Sequence, residues 1–153
     1  MQKSWQDTIW QTVVQISSFP GFALPITLYA LLVQDVSSIV AFLISLAILA
    51  VGHLILKAIF RTARPIGYKK DHILLPTPID SSFPSNHTAG AFLLYFFVEA
   101  TIAPLSFLFL FFALLVALSR LELKKHHPID VIGGFMTAYI VFFFAVYVVG
   151  ILG

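Results

Sequence analysis

The chain has 153 residues, of which 59% are hydrophobic and 10% charged, and its formal net charge is +2. Its mean hydropathy of +0.97 is more than a soluble domain of this length can bury, so lipid is the expected solvent. The small net charge gives no support for nucleic-acid binding, and the absence of cysteine excludes disulfides, thiolate metal ligands and cysteine nucleophiles.

The N-terminal segment from Ser4 to Ile16 has the pattern of an amphipathic helix. Trp5, Ile9, Trp10 and Val13 recur at helical spacing among polar residues, which is typical of a helix lying in the membrane interface. The start of a first spanning helix would give the same pattern. The segment lacks the compact apolar core and small-residue cleavage site of a secretory signal.

Apolar segments follow, separated by short polar turns and by one long polar loop from Ile66 to Phe83. The first contains Pro25 and predicts a tilted or broken helix, whereas Pro65 prevents continuation of the second. The segments run from Phe22 to Val33, Val36 to Phe60, Ser85 to Ala100, Pro104 to Arg120 and His127 to Ile151. We predict an all-α, polytopic membrane bundle of five to six helices with an N-terminal interfacial or short helix, forming a single domain over residues 1–153.

The polar residues gather at those ends of the segments that antiparallel packing would bring to one face of the bundle. The second segment leads into Arg64-Pro65, the third starts at Ser85, the fourth ends at Arg120 and the fifth starts beside His126. Charged groups near a bilayer interior are best explained by function. The convergence of these groups depends on every segment crossing the membrane.

The cations of this face suit a phosphate. Lys57, Arg61 and Arg64 stand at i, i+4 and i+7, on one helical face if the helix extends that far, and Arg120 would join them. Arginine matches phosphate oxygens with two parallel hydrogen bonds, and phosphoryl transfer needs neutralisation of charge on those oxygens. The alternative is that each cation only reaches towards lipid headgroups, and we keep that interpretation for Arg61.

The second polar stretch, Pro84-Ser85-Asn86-His87, stands where a helix begins. The backbone N–H groups and the dipole of a helix N-terminus favour an anion, to which Ser85 can also donate a hydrogen bond. His87 lies within the first turn and could give a proton to a leaving oxygen. The alternative is a helix cap followed by an interfacial histidine.

The third stretch places His126 and Asp130 four residues apart across Pro128. A carboxylate one turn away can accept the imidazole N–H and stabilise the charge that forms when the other nitrogen attacks phosphorus. His127 would point about 100° away around the helix. A metal site formed by His126, His127 and Asp130 is an alternative that the neighbouring cations oppose.

Together, Lys57-x6-Arg64-Pro65, Pro84-Ser85-x-His87 and Ser119-Arg120-x5-His126-x3-Asp130 resemble the tripartite signature of the type-2 phosphatidic acid phosphatase superfamily. Its members include membrane lipid phosphatases, polyprenyl-diphosphate phosphatases, glucose-6-phosphatases and vanadium haloperoxidases. The motifs cover residues 57–130, and the helix layout covers most of the chain. The apolar composition argues against the soluble, vanadium-dependent branch.

The resemblance implies a role for each matching residue. His126 would be the nucleophile that forms a phosphohistidine, oriented by Asp130, and His87 the acid that protonates the leaving group. The implied phosphate ligands are Lys57, Arg64, Ser85, Asn86 and Arg120. No metal or other cofactor is implied. Many members have glycine at the position of Asn86, and many have six spanning helices.

We expect an integral-membrane lipid phosphatase, with undecaprenyl diphosphate as the first choice of substrate. Phosphatidylglycerophosphate, phosphatidic acid and lipid A 1-phosphate are alternatives, and Lys69 and Lys70 of the polar loop are candidates for holding a second phosphate. A catalytically inactive lipid-binding protein would not need His87, His126 and Asp130 together. A transporter or channel component would line its spans with polar residues through the bilayer centre. No nucleic-acid or obligate protein partner is indicated.

We expect the protein in the cell membrane, which is the inner membrane in a bacterium that has two. The sequence and the family resemblance indicate opposite orientations of the site. The motif face carries most of the Lys and Arg residues, which favours the cytoplasm by the positive-inside rule. Bacterial relatives generally face outward, and functional cations distort the count. We therefore expect the site on the extracytoplasmic face.

Overall fold

The computed structural model describes residues 5, 8–10, 12, 19–65 and 81–149. From residue 19 onwards the described chain forms five α-helices, with a 3₁₀ turn at Ala103–Leu105 before the fourth. They are α1 (Phe19–Val33), α2 (Val36–Phe60), α3 (Asn86–Thr101), α4 (Ser106–Glu122) and α5 (Pro128–Val149). The described residues contain no strand, and the predicted all-α fold class is confirmed.

The helix bounds agree closely with the sequence pattern. The second segment matches α2 at both ends, and α1 begins at Phe19 with Pro25 inside it. Of the predicted N-terminal helix, residues 5, 8–10 and 12 are helical, and its other positions lie outside the described residues. So do most of the polar loop, including Lys69, Lys70 and His72, and the predicted end of α5 at Ile151.

Local hydrogen bonds and backbone geometry explain where α2 starts and stops. The Asp35 carboxylate accepts hydrogen bonds from the backbone N–H of Ser37 at 3.2 Å and of Ser38 at 2.9 Å, a standard N-terminal cap. Hydrogen bonds from Ser38 and then Ser37 lower the pKa of Asp35 to about 2. At the other end Arg61 adopts a left-handed conformation, with φ of 45°. The helix therefore ends at Phe60, before Arg64.

Three of the helical elements are long and apolar enough to cross a membrane: Val36–Phe60, Ala103–Glu122 and Pro128–Val148. Large apolar side chains such as Leu43, Val51 and Ile59 are at least half exposed on α2. In water such a surface would aggregate, whereas lipid solvates it. The chain is therefore a membrane protein whose long helices face lipid.

The third segment is shorter than a full span. Helix α3 has 16 residues, which corresponds to about 24 Å against a hydrocarbon core of about 30 Å. It is the central helix, packing against α1, α2, α4 and α5, and Leu93, Leu94 and Phe97 are completely buried. Because its neighbours surround it, α3 does not have to match the bilayer thickness on its own.

Aromatic rings fill the space around α3. Phe97 makes edge-on contacts with Phe42 of α2 and Phe142 of α5, each with ring centroids 5.3 Å apart. Phe92 meets Phe135 of α5 at 4.9 Å. Such perpendicular contacts are favourable for aromatic quadrupoles. They fix the position of α5 against α3. The polar residues at the start of each of these two helices are thereby held in place as well.

Two adjacent glycines let α5 approach the start of α3 very closely. A Cβ atom on Gly133 would lie 2.3 Å from the ring of Phe83, and one on Gly134 would lie 2.7 Å from the backbone oxygen of Ser85. Neither separation is compatible with a side chain in this packing. The position of Ser85 therefore depends on residue 134 being a glycine, which has no side chain.

Gly134→Ala is expected to destabilise the protein by about 1–3 kcal/mol, because the added methyl group must displace the Ser85 backbone. Thermal unfolding in detergent measures the change. Gly52→Ala is the matched control, since a Cβ there meets no atom within 4 Å and the change only favours the helix. Equal unfolding temperatures for the two variants would contradict the close contact between α5 and Ser85.

Candidate active site

The last turn of α2 contributes Lys57, which is 8% exposed although charged. Its Nζ atom donates a hydrogen bond to the backbone oxygen of Ser81 at 2.5 Å. This contact joins the end of α2 to the segment that precedes α3. Lys57 is thus a buried positive charge at the end of α2 that lies beside the other polar motifs.

Thr62 provides a second connection between the same two segments. Its backbone N–H donates to Ser81 Oγ at 2.9 Å, and its hydroxyl accepts from the N–H of Phe83 at 2.9 Å. The N–H of Ser82 donates to the backbone oxygen of Thr62, also at 2.9 Å. These bonds fix the backbone segment that leads to Ser85, and none of them involves the loop between residues 65 and 81.

Arg64 links the first motif to the third. Its Nη1 atom donates to the backbone oxygen of Lys125 at 2.9 Å, although α2 ends at Phe60 and Arg64 lies beyond it. The position of Arg64 is therefore not set by the helical spacing of the cations. It is set by the non-helical stretch that follows Phe60. Arg61 is exposed and its Nε atom donates to Ala58 of its own helix, so it does not join the site.

The turn between α4 and α5 holds Arg120 next to His126. Arg120 is only 2% exposed, and its backbone oxygen accepts from the N–H groups of Lys125 at 3.0 Å and His126 at 3.2 Å. The hydroxyl of Ser119 donates to the Val116 carbonyl within α4 and is directed at its own helix. The signature residue that α4 brings to the site is therefore Arg120.

Ser85 is the N-terminal cap position of α3 and is completely buried, yet its side chain makes no capping hydrogen bond. Its hydroxyl accepts a hydrogen bond from Thr88 Oγ1 at 3.0 Å, and its backbone N–H donates to the Asp130 carbonyl at 3.0 Å. The Ser85 hydroxyl hydrogen can therefore be donated to an anion. The N–H groups at the start of α3 likewise precede the first intrahelical bond, from Ala89 to Ser85.

His126 and Asp130 form a buried pair at the start of α5. His126 Nδ1 lies 3.5 Å from Asp130 Oδ2, and both side chains are at most 5% exposed. The same carboxylate oxygen accepts the His127 N–H at 2.7 Å, which holds it in place. Because Nδ1 is the nitrogen beside the carboxylate, Nε2 is the nitrogen available for attack.

The polar motifs meet at one place. Burial, followed by the charges of Arg64, Lys57 and Arg120, lowers the pKa of His126 to about 2, and His87 acts in the same direction. The cations and the two imidazoles are therefore close enough to interact electrostatically. At neutral pH, His126 is consequently an uncharged imidazole, which is the nucleophilic form.

Asn86 uses its side-chain oxygen for a contact with α2. Its Oδ1 atom lies 2.8 Å from His53 Nδ1, and this contact leaves the backbone N–H of Asn86 available at the start of α3. His53 is 2% exposed, and its Nε2 atom lies 2.8 Å from Thr137 Oγ1 of α5. Both ring nitrogens of His53 therefore have partners.

No three His, Cys, Asp or Glu side chains within the described part of the chain group closely enough to hold a metal ion. The considered set of His126, His127 and Asp130 is divided, because His127 is exposed whereas the other two are buried.

Sequence reasoning missed the uncharged residues that position the site. Thr88 follows Ser85 by three residues and His53 precedes Lys57 by four, the spacings that place helical residues on one face. These spacings place both residues on the same helix faces as Ser85 and Lys57, but they do not specify the partners in other segments. Thr62 and Ser81 carry no comparable signal, because they stand 19 residues apart in the sequence.

Comparisons with known proteins find related sequences and a similar fold. The sequence profile of the PAP2 superfamily matches residues 38–152. Undecaprenyl-diphosphatase BcrC of Bacillus subtilis is 33% identical over 95 residues, covering 62% of this chain and 49% of the relative. The match thus spans about half the length of that curated relative.

A similar fold occurs in a solved structure, the first transmembrane PAP2-type phosphatidylglycerolphosphate phosphatase from Bacillus subtilis. The TM-score is 0.73 at 19% sequence identity, over 95% of this chain and 77% of that one. At this identity the likeness supports the arrangement of the helices.

Thr88→Val is expected to lower activity on a lipid phosphate about tenfold, because the Ser85 hydroxyl loses the donor that orients it. Thr88→Ser keeps the hydroxyl and is the matched control. The measurement is kcat/KM for phosphate release, with thermal unfolding as a check on folding. If the valine and serine variants had equal activity, the proposed orientation of Ser85 by Thr88 would be wrong.

Proposed function

Because the chain belongs to the PAP2 superfamily, we propose that it is a lipid phosphatase that releases the terminal phosphate of undecaprenyl diphosphate through a phosphohistidine. The observation that carries the proposal is the buried pair of His126 and Asp130 among Lys57, Arg64 and Arg120. A neutral imidazole surrounded by cations is suited to attack a phosphate whose charge those cations neutralise.

In the first step, His126 Nε2 attacks the terminal phosphorus. Burial and then the neighbouring cations, Arg120 first, lower the pKa of His87, so His87 takes up the proton it transfers when the negatively charged phosphate binds and offsets those cations. The bond from phosphorus to the bridging oxygen then breaks, and His87 gives this proton to that oxygen as lipid monophosphate leaves. Asp130, 3.5 Å from Nδ1, stabilises the positive charge that develops on the ring. Lys57, Arg64 and Arg120 neutralise the equatorial oxygens, assisted by Ser85 and the Asn86 backbone N–H.

In the second step, water attacks the phosphorus of the phosphohistidine, and His87, now deprotonated, accepts the water proton. The N–P bond breaks, its electron pair returns to Nε2, and inorganic phosphate leaves. Every proton and bond is then accounted for by the chain's own residues and one water. No resident metal has a role in these two steps.

The choice of substrate rests on the relative and on the position of the site. The relative at 33% identity is an undecaprenyl-diphosphatase by name. The site lies at the ends of α2 and α4, whose outer faces are apolar, so a long isoprenoid tail can remain in lipid while its headgroup reaches His126. A diphosphate also suits a cluster in which cations outnumber the one nearby carboxylate.

Purified protein is expected to release phosphate from undecaprenyl diphosphate faster than from phosphatidylglycerophosphate, phosphatidic acid or lipid A 1-phosphate. A malachite-green assay over this panel measures the rates, with His126→Ala as the blank. The variant is expected to release none, because no nucleophile remains, while folding and inserting normally. The wild-type rate is expected to persist in EDTA.

Each result of this assay bears on a different part of the proposal. Normal turnover by the His126→Ala variant would refute the phosphohistidine, and a higher rate on another lipid would replace the proposed substrate. Full inactivation by EDTA, reversed by a metal ion, would overturn the metal-free route.

We further propose that the site faces the extracytoplasmic side. The described cations Arg61, Lys124 and Lys125 at this end would suggest the cytoplasm, but the neighbouring Lys57, Arg64 and Arg120 are assigned to phosphate and should not be counted. The proposal therefore follows the outward-facing orientation that the family resemblance implies.

The absence of cysteine makes single-cysteine labelling a clean test of this orientation. Lys124→Cys lies at the site end of the bundle and Glu99→Cys near the opposite end, and both positions are exposed. In intact cells, an impermeant maleimide is expected to label the Lys124→Cys variant, and to label the Glu99→Cys variant only after permeabilisation. The reverse pattern would place the site in the cytoplasm.

A further inference from the structure

His53 is a buried polar side chain within the apolar α2 that the proposed mechanism does not use. Both ring nitrogens have partners at 2.8 Å: Asn86 Oδ1 at the start of α3 and Thr137 Oγ1 on α5. A buried imidazole is costly unless it is hydrogen-bonded. This one joins three helices at the level where the phosphate site begins.

His53 and Lys57 lie one helical turn apart, on the same face of α2. Lys57 bonds the backbone of Ser81, and His53 contacts the side chain of Asn86. Helix α2 therefore holds the segment from Ser81 to Asn86 at both of its ends. This segment includes Ser85, whose hydroxyl and neighbouring N–H groups are directed at the phosphate in the proposed mechanism.

Asn86 is the first residue of α3, and His87 is the second. Its backbone N–H is among those that precede the first intrahelical hydrogen bond, from Ala89 to Ser85. A rotation of the chain at Asn86 would therefore move this N–H and the His87 imidazole together. The contact with His53 restrains that rotation through the Asn86 side chain.

We propose that His53 is a positioning residue of the phosphate site, which holds Asn86 so that the start of α3 presents its N–H groups and His87 to the phosphate. The inference rests on the proposed function and adds a residue to it. The contact with Thr137 instead ties His53 to α5. Thr137 Oγ1 also lies 2.9 Å from the Gly133 carbonyl of the same helix.

Two amide substitutions separate these contacts. Asn at position 53 places its amide near the location of Nδ1 and can keep the bond to Asn86, because an amide both donates and accepts. Gln reaches the location of Nε2 and can keep only the bond to Thr137. His53→Gln is therefore expected to lower kcat/KM about tenfold, and His53→Asn by no more than about threefold.

A double-mutant cycle with Asn86→Gly tests whether the effect passes through Asn86. In the Asn86→Gly background, His53→Gln is expected to cause no further loss of kcat/KM. Thr137→Val is the structural control, expected to lower the unfolding temperature without coupling to Asn86→Gly. Equal losses for the Gln and Asn variants, or a loss from His53→Gln that persists beside Asn86→Gly, would overturn the inference.

The stabilisation of the protein by inorganic phosphate gives a readout that does not require turnover. The unfolding temperature of the wild type and of His53→Asn is expected to rise with phosphate, and that of His53→Gln to rise less. A wild type that neither hydrolyses any lipid of the panel nor binds phosphate would overturn the proposed function and this inference together. An active wild type with indistinguishable Gln and Asn variants would overturn this inference alone.

Discussion

Repulsion among like charges at one end of the bundle is the constraint on which the other features depend. Lys57, Arg64 and Arg120 approach one another with Asp130 as the buried carboxylate beside them, in surroundings that weaken solvation of every charge. Backbone carbonyls offset part of this repulsion, since Ser81 accepts from Lys57 and Lys125 accepts from Arg64. A bound phosphate, as proposed, would offset far more of this repulsion.

Helix α2 organises the site although α3 is the centre of the packing. Its last turns reach across to Ser81 and Asn86, and Thr62 just beyond it bonds the same segment. The aromatic contacts around Phe97 fix the helices relative to one another, whereas these polar contacts fix the non-helical segment that leads to Ser85. Packing thus sets the architecture, and hydrogen bonds set the geometry of the proposed phosphate site within it.

The bounds of α2 and the charged motifs could be read from the sequence, because Asp35, Pro65 and charges in an apolar chain are strong local signals. The placement of Arg64 could not, since α2 ends at Phe60 and helical spacing no longer applies beyond it. Thr88 and His53 were not assigned roles, because a neutral polar side chain in a helix has several ordinary explanations. Their importance depends on partners in other segments, which spacing within one helix does not specify.

The same cations serve both ends of the proposed reaction. Before attack, burial and the positive charges of Arg64 and Lys57 keep His126 unprotonated, which preserves its lone pair at neutral pH. After attack, the ring carries a phosphoryl group whose negative oxygens those charges stabilise. Asp130 alone would favour a protonated imidazole, but burial, followed by the cations, outweighs this effect and keeps His126 neutral. A cluster with fewer cations would bind the phosphate less tightly and would oppose protonation of His126 less strongly.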